Sequence, residues 1–105
     1  ETRAHEPNMA LSPIWAHLPE EPGAEQAQPG VRVNAADLVP AERAYFFFDG
    51  SLTTPPCTEG VSWFVLRTPA HISQEQLLRF TQIYPDNARP LQPVFGRTVQ
   101  AGPAL

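Results

Sequence analysis

The sequence predicts a mainly β fold with short helices, an α+β arrangement, and three observations predict it. Residues 45–48 (YFFF) and 61–66 (VSWFVL) are rich in the aromatic and β-branched side chains that suit a pleated, packed surface. Residues 73–84 carry one helix marked at both ends, by Ser73 and by Pro85. Thirteen prolines cut the rest of the 105 residues into loops. They are spread along the chain rather than grouped in repeats, which speaks for a loop-rich globular protein and against a proline-rich linker.

Taken in order, Leu11, Ile14, Trp15 and Leu18 stand at i, i+3, i+4 and i+7, the spacing of one apolar helical face. Asn8 is the expected N-cap and Pro19 the stop, while Pro13 restricts the helix to a short or kinked one, or to one whose first turn begins near Ser12. Residues 19–30 (PEEPGAEQAQPG) form a polar, exposed loop. Val31 and Val33 are expected in a short strand, and residues 35–43 hold a single helical turn around Asp37 and Leu38 that Pro40 interrupts. Neither YFFF nor VSWFVL alternates cleanly, so both faces of each strand are expected to be covered. Residues 49–60 (DGSLTTPPCTEG) link them as a loop too long for a tight hairpin and stiffened by Pro55 and Pro56. In the helix, Ser73 with Gln76 has the capping-box spacing and Ile72 with Leu77 that of a hydrophobic staple. Leu77, Phe80 and Tyr84 are expected to line its buried face. The tail runs through proline-punctuated loop to a short strand near Arg97 to Ala101.

Charge excludes some classes of function. Net charge is −4, from seven arginines, no lysine and eleven acidic residues. The arginines are scattered at 3, 32, 43, 67, 79, 89 and 97, with no basic stripe to neutralise phosphates, so no nucleic-acid partner is expected. No apolar run approaches the roughly 20 residues of a membrane span, and the start at Glu1 shows no basic segment followed by an apolar one, as a signal peptide would. The length suits one domain.

The chemistry-bearing segment is the loop between the strands. Ser51, Thr53, Thr54 and Thr58 place four hydroxyls on a proline-braced loop beside apolar Leu52, Val61 and Trp63. Taken alone, such hydroxyls satisfy the backbone of turns. The single cysteine, Cys57, reads either as a small buried hydrophobe or as half of a disulfide whose partner lies elsewhere.

Residues 50–63 (GSLTTPPCTEGVSW) resemble the Gly-Ser-Leu-Thr-Thr-Pro-Pro loop of α-type carbonic anhydrases and the Glu-x-Val-x-Trp strand that follows it. The resemblance runs on through FVLRTP, SQEQLLRF and NARPLQP, and back through the LVP turn to IWAHLP, essentially the whole chain. It implies an incomplete part of that family's twisted, largely antiparallel central sheet, with residues 1–105 as the C-terminal part of a single domain. It also implies reversible hydration of carbon dioxide to bicarbonate and a proton, with zinc lowering the pKa of a bound water to ~7. On that resemblance Thr53 orients the zinc hydroxide through its hydroxyl and meets the substrate oxygen with its backbone N–H. Leu52, Val61 and Trp63 match the apolar wall for carbon dioxide, and Thr54 the hydrophilic side. In bacterial and extracellular relatives a cysteine at the position of Cys57 bridges to one near the N-terminus, which implies a periplasmic or secreted parent.

Departures from the family pattern are equally specific. There is no His-x-His; His5, His17 and His71 are isolated, and none of the glutamates, Glu59 included, matches the family's buried acceptors. No zinc is therefore expected in this chain alone, only in the complete domain, and the chain alone is expected to be inactive. Phe48 stands where the family often has tyrosine. The expected partners are carbon dioxide and bicarbonate, the missing N-terminal half, and a second copy paired through exposed strands. The competing reading is a zinc-less, carbonic-anhydrase-like binding module.

Overall fold

The computed structural model describes residues 1–23 and 25–103, which form two compact units. The first comprises Glu1–Pro40 with Ala70–Asn87. Its helix α2, Gln74–Ile83, begins at Ser73, whose side chain accepts from Gln76 N while the Gln76 side chain accepts from Ser73 N, so the expected capping box is formed. Two very short strands precede it, β1 (Thr2–Arg3) and β4 (Ile72–Ser73), paired in parallel with Thr2 opposite Ile72. Arg3 bonds Glu1 Oε1 at 2.6 and 2.8 Å and Glu6 Oε1 at 2.8 Å. Its hydrogen bond and charge hold the Glu1 carboxyl below the ordinary carboxylate value.

Helix α1 is only Ser12–Trp15, with Pro13 in its first turn, where the missing N–H costs nothing. Asn8 does not cap it. The Asn8 side chain instead accepts from Ala10 N at 3.0 Å and donates to His71 O at 2.9 Å, which ties the approach to α1 to the segment before α2. Trp15 reaches the same helix, its indole N–H donating to Gln76 O at 2.7 Å and its ring lying 6.1 Å from Phe80. The buried face of α2 differs from the expected one: Gln76 and Ile83 are buried, whereas Leu77 is exposed. A polar side chain takes the inner position because it satisfies the backbone of Asn8 and Ser73 there. Residues 35–38 form the expected helical turn as a 3-10 helix, Ala35–Leu38, capped by Asn34. Val31 and Val33 form no strand; both are exposed, just past Pro29 and Gly30, and have no strand beside them.

The second unit comprises Ala41–Pro69 and the residues from Ala88 onward. Its centre is an antiparallel pair, β2 (Tyr45–Ser51) and β3 (Glu59–Leu66), with Tyr45 opposite Leu66 and Phe48 opposite Trp63. Both strands run further into the connecting segment than expected, leaving residues 52–58 as the loop. Strand β5 (Gln100–Gly102) joins the other edge of β2, antiparallel, giving the order β3-β2-β5. Gly102 is needed there, because a Cβ would overlap the Tyr45 ring. Alternation places Tyr45, Phe47 and Phe64 on one face, with ring centroids 5.2 and 5.0 Å apart, and Phe48 and Trp63 on the other, stacked at 6.4 Å.

The expectation that both strand faces are covered does not hold for this chain. Phe46, Phe64 and Val65 are exposed, Phe64 at 54%, and Ile83 in the first unit is the one buried apolar residue among those described. A three-stranded sheet cannot cover two apolar faces from its own loops.

Candidate functional site: the loop between β2 and β3

The loop is held at its base by a register break. Gly50 lies opposite Val61, but Ser51 lies opposite Glu59, so Gly60, with φ +84°, is the extra residue of a bulge. The bulge lets the chain leave the sheet at Ser51. Gly50 has its own constraint: a Cβ there would stand 2.8 Å from Trp63 Cδ1. That closeness brings the Trp63 indole N–H to Ser51 O at 3.1 Å.

Two bonds close the loop itself, Leu52 N to Thr58 O at 2.9 Å and Cys57 N to Thr54 O at 2.8 Å. Cys57 adopts φ +57°, the left-handed region, and the Pro55–Pro56 bond is cis. The tail then grips the same strand end from outside. Arg89 Nη1 donates to Ser51 Oγ at 3.1 Å, and Arg97 Nη1 donates to Asp49 O at 2.8 Å. Arg97 is itself fixed by bonds to Val94 O and Pro93 O.

Thr53 and Trp63 line one open concavity of about 780 Å3, with Phe48, Ser51, Glu59 and Arg89 also on its wall. Leu52, Thr54 and Val61 are not on that wall. Leu52 and Thr54 are exposed, Leu52 at 47%, while Val61 is half-buried and projects from the same face of β3 as Trp63. Among the described residues the Thr53 N–H has no protein acceptor. Cys57 is a free, half-buried thiol. His71 Nε2 lies 3.3 Å from Pro7 O, and no group of three or more His, Cys, Asp or Glu able to hold a metal occurs among the described residues.

The sequence reading missed Gly50, Arg89 and Arg97 as parts of the site. The signal for Arg89 was its place in the NARPLQP segment, but only the folded tail shows which strand end it reaches.

This hairpin sheet and loop have close counterparts among solved structures. An α-carbonic anhydrase from Thermovibrio ammonificans, in complex with the inhibitor sulfanilamide, superposes with a TM-score of 0.85 at 40% identity, over 93% of this chain and 43% of that one. A hyperthermostable carbonic anhydrase from an active hydrothermal vent chimney gives 0.85 at 35% identity, over 95% and 45%. The fold is that of α-carbonic anhydrases, in part. The family model for eukaryotic-type carbonic anhydrase matches residues 1–103, through both compact units, and the chain belongs to that family. Among curated relatives, the carbonic anhydrase of Neisseria gonorrhoeae is 47% identical over 94 residues and that of a Nostoc strain 40% over 92. Each match covers 88% of this chain but 36% and 35% of the relative, so the chain spans about a third of their length.

Proposed function

We propose that the chain is the C-terminal part of one α-carbonic anhydrase domain, and that the whole enzyme is a lyase interconverting carbon dioxide and water with bicarbonate and a proton. The observation that carries this reading is the Thr53 N–H, left without a protein acceptor on a loop tied down at both ends, beside the Trp63 indole. A fixed donor of that kind suits an oxygen that gains negative charge during reaction. Trp63 supplies the apolar side of that concavity, and Leu52 and Val61, off its wall in this chain, are assigned to the same side in the complete domain, since a linear nonpolar substrate rests where no hydrogen-bonding group would hold water in its place. The Thr53 hydroxyl orients the attacking oxygen, and Thr54 borders the wetter side.

Zinc, the metal this reading assigns to the complete domain, does not fit the residues of this chain. Its histidines form no ligand group among the described residues, and His71 is engaged near the Pro7 carbonyl. The ligands are assigned to the remaining part of the domain, which is also the assigned partner of the uncovered sheet faces; in its absence a second copy takes that place. Cys57 is assigned a disulfide partner there too, which places the parent protein in the periplasm or outside the cell. Among the described residues, no helix is long and apolar enough to cross a membrane.

The test joins this chain to the complementary part of the Neisseria gonorrhoeae relative and compares it with the chain alone, by metal analysis and stopped-flow hydration of carbon dioxide. The chain alone should hold no stoichiometric zinc and give no hydration above buffer, while the joined protein should bind zinc and hydrate carbon dioxide. A folded, zinc-loaded joined protein without activity would overturn the reading.

A further inference from the structure

We infer that Arg89 is a positioning residue that sets the direction of the Thr53 N–H through Ser51; the inference rests on the function proposed above for Thr53. Arg89 Nη1 donates to Ser51 Oγ at 3.1 Å, and the Ser51 hydroxyl donates in turn to Leu52 O at 3.0 Å. The same guanidinium nitrogen stands 3.5 Å from Leu52 O, a weaker direct contact. Leu52 C=O and Thr53 N–H belong to one planar trans peptide, so they point in opposite directions and turn together. Whatever holds the Leu52 carbonyl therefore aims the Thr53 N–H.

The hydroxyl alone would not suffice. Ser51 Oγ can rotate, and a donor at its lone pair leaves its proton for Leu52 O. Arg89 supplies that donor from a planar, always charged group, and a charged donor gives a stronger bond than a neutral one. Trp63 holds Ser51 O and Leu52 N bonds Thr58 O, so both polar groups of the peptide before Leu52 are anchored and the peptide after it is the one left to Ser51 and Arg89. Arg89 closes the set from a segment 38 residues away in sequence. Arg97, bonded to Asp49 O, acts earlier on the strand and leaves the Leu52 carbonyl untouched.

The Leu-Thr pair occurs once in the sequence, at 52–53, so labelling leucine carbonyl carbon and threonine nitrogen yields one amide signal, from this peptide alone. The experiment records that signal in the chain as it stands and in Arg89→Ala and Arg89→Lys, with the signals of residues 45–48 and 74–83, read from uniformly labelled samples of the same three proteins, as references. Arg89→Ala should shift the Leu52 carbonyl carbon upfield as its hydrogen bonding weakens, and should leave the references in place. Arg89→Lys should return the signal part of the way. Alkylation of Cys57 should quicken about tenfold in Arg89→Ala, the scale expected for loss of a charged hydrogen bond that orders the loop. An unmoved signal in Arg89→Ala overturns the inference. So does a shift shared by the reference residues, or no recovery with lysine, since either makes Arg89 a general support of the fold. None of these readouts uses catalysis, so an inactive joined protein would leave the measurement standing and count against the proposed function alone.

Discussion

The Gln76 side chain holds both backbone groups of Asn8: Asn8 N donates to Gln76 Oε1 at 2.9 Å, and Gln76 Nε2 donates to Asn8 O at 3.0 Å. Gln76 Oε1 also accepts from Ser73 N at 3.1 Å, so one side chain, 8% exposed, satisfies three backbone groups on two segments. Replacing it by an apolar residue of similar size strands all three.

Gln76→Leu should therefore destabilise the chain by about 3 kcal/mol or more, since each buried backbone group left unpaired costs roughly 1–3 kcal/mol. Ser73→Ala removes only the N-cap oxygen and should cost about 1 kcal/mol. Urea denaturation followed by circular dichroism separates the two. Equal losses would mean that the two bonds from the Gln76 side chain to the Asn8 backbone contribute nothing beyond the cap.

The sheet should bind a hydrophobic dye in the folded state, because Phe64 is uncovered on one face of the strand pair and Phe46 and Val65 on the other. Phe64→Thr keeps a residue suited to a strand and removes the most exposed of these rings. It should lower 8-anilinonaphthalene-1-sulfonate fluorescence while leaving the far-ultraviolet strand signal intact. Unchanged dye binding would place the accessible apolar surface elsewhere, on Leu91 or Phe95 of the tail, which are 99% and 84% exposed.

What the sequence disclosed and what it withheld separate along a physical line. The capping box of α2 was legible because Ser73 and Gln76 interact over three residues, a local rule. The same Gln76 was unreadable as a partner of Asn8, since that bond spans 68 residues and depends on where α1 is set down. Asn8 itself misled for that reason: asparagine suits an N-cap, but its side chain found a carbonyl across the fold at His71. The strands were legible from composition, yet their coverage was not, because a run apolar on both sides states a need for neighbours and not their presence. In the loop, Thr53 was singled out by family likeness alone, whereas the parts of Arg89 and Gly50 show only in contacts made after folding.

Gly50→Ala should move the Trp63 indole away from Ser51 O. The added methyl would stand 2.8 Å from Trp63 Cδ1, closer than real contacts allow, and a tight 3.0 Å from its Nε1. Overpacking of this kind costs roughly 1–3 kcal/mol. The indole proton of Trp63 should shift in the nuclear magnetic resonance spectrum as its hydrogen bond lengthens, while that of Trp15, bonded to Gln76 O in the other unit, stays put. An unmoved Trp63 signal would mean that the strand end yields instead of the ring.

The roles proposed along the loop are tested by two substitutions in the protein joined to the complementary part of its Neisseria gonorrhoeae relative. Thr53→Val keeps the shape and the backbone N–H but removes the hydroxyl, so it separates the two tasks given to this residue. A group that orients a reacting oxygen without binding the metal typically contributes 10–100-fold in activity, or about 1.4–2.7 kcal/mol in the barrier. Turnover should fall by that order while zinc content persists, because no ligand has been touched. Thr54→Val should cost less, since Thr54 is exposed and is assigned only to the wetter border of the site. Stopped-flow hydration with metal analysis on the same samples reads both quantities. Full turnover in Thr53→Val together with its loss in Thr54→Val would reverse the assignment: the nucleophile would then be oriented by the second threonine, and the Thr53 contribution would be confined to its backbone.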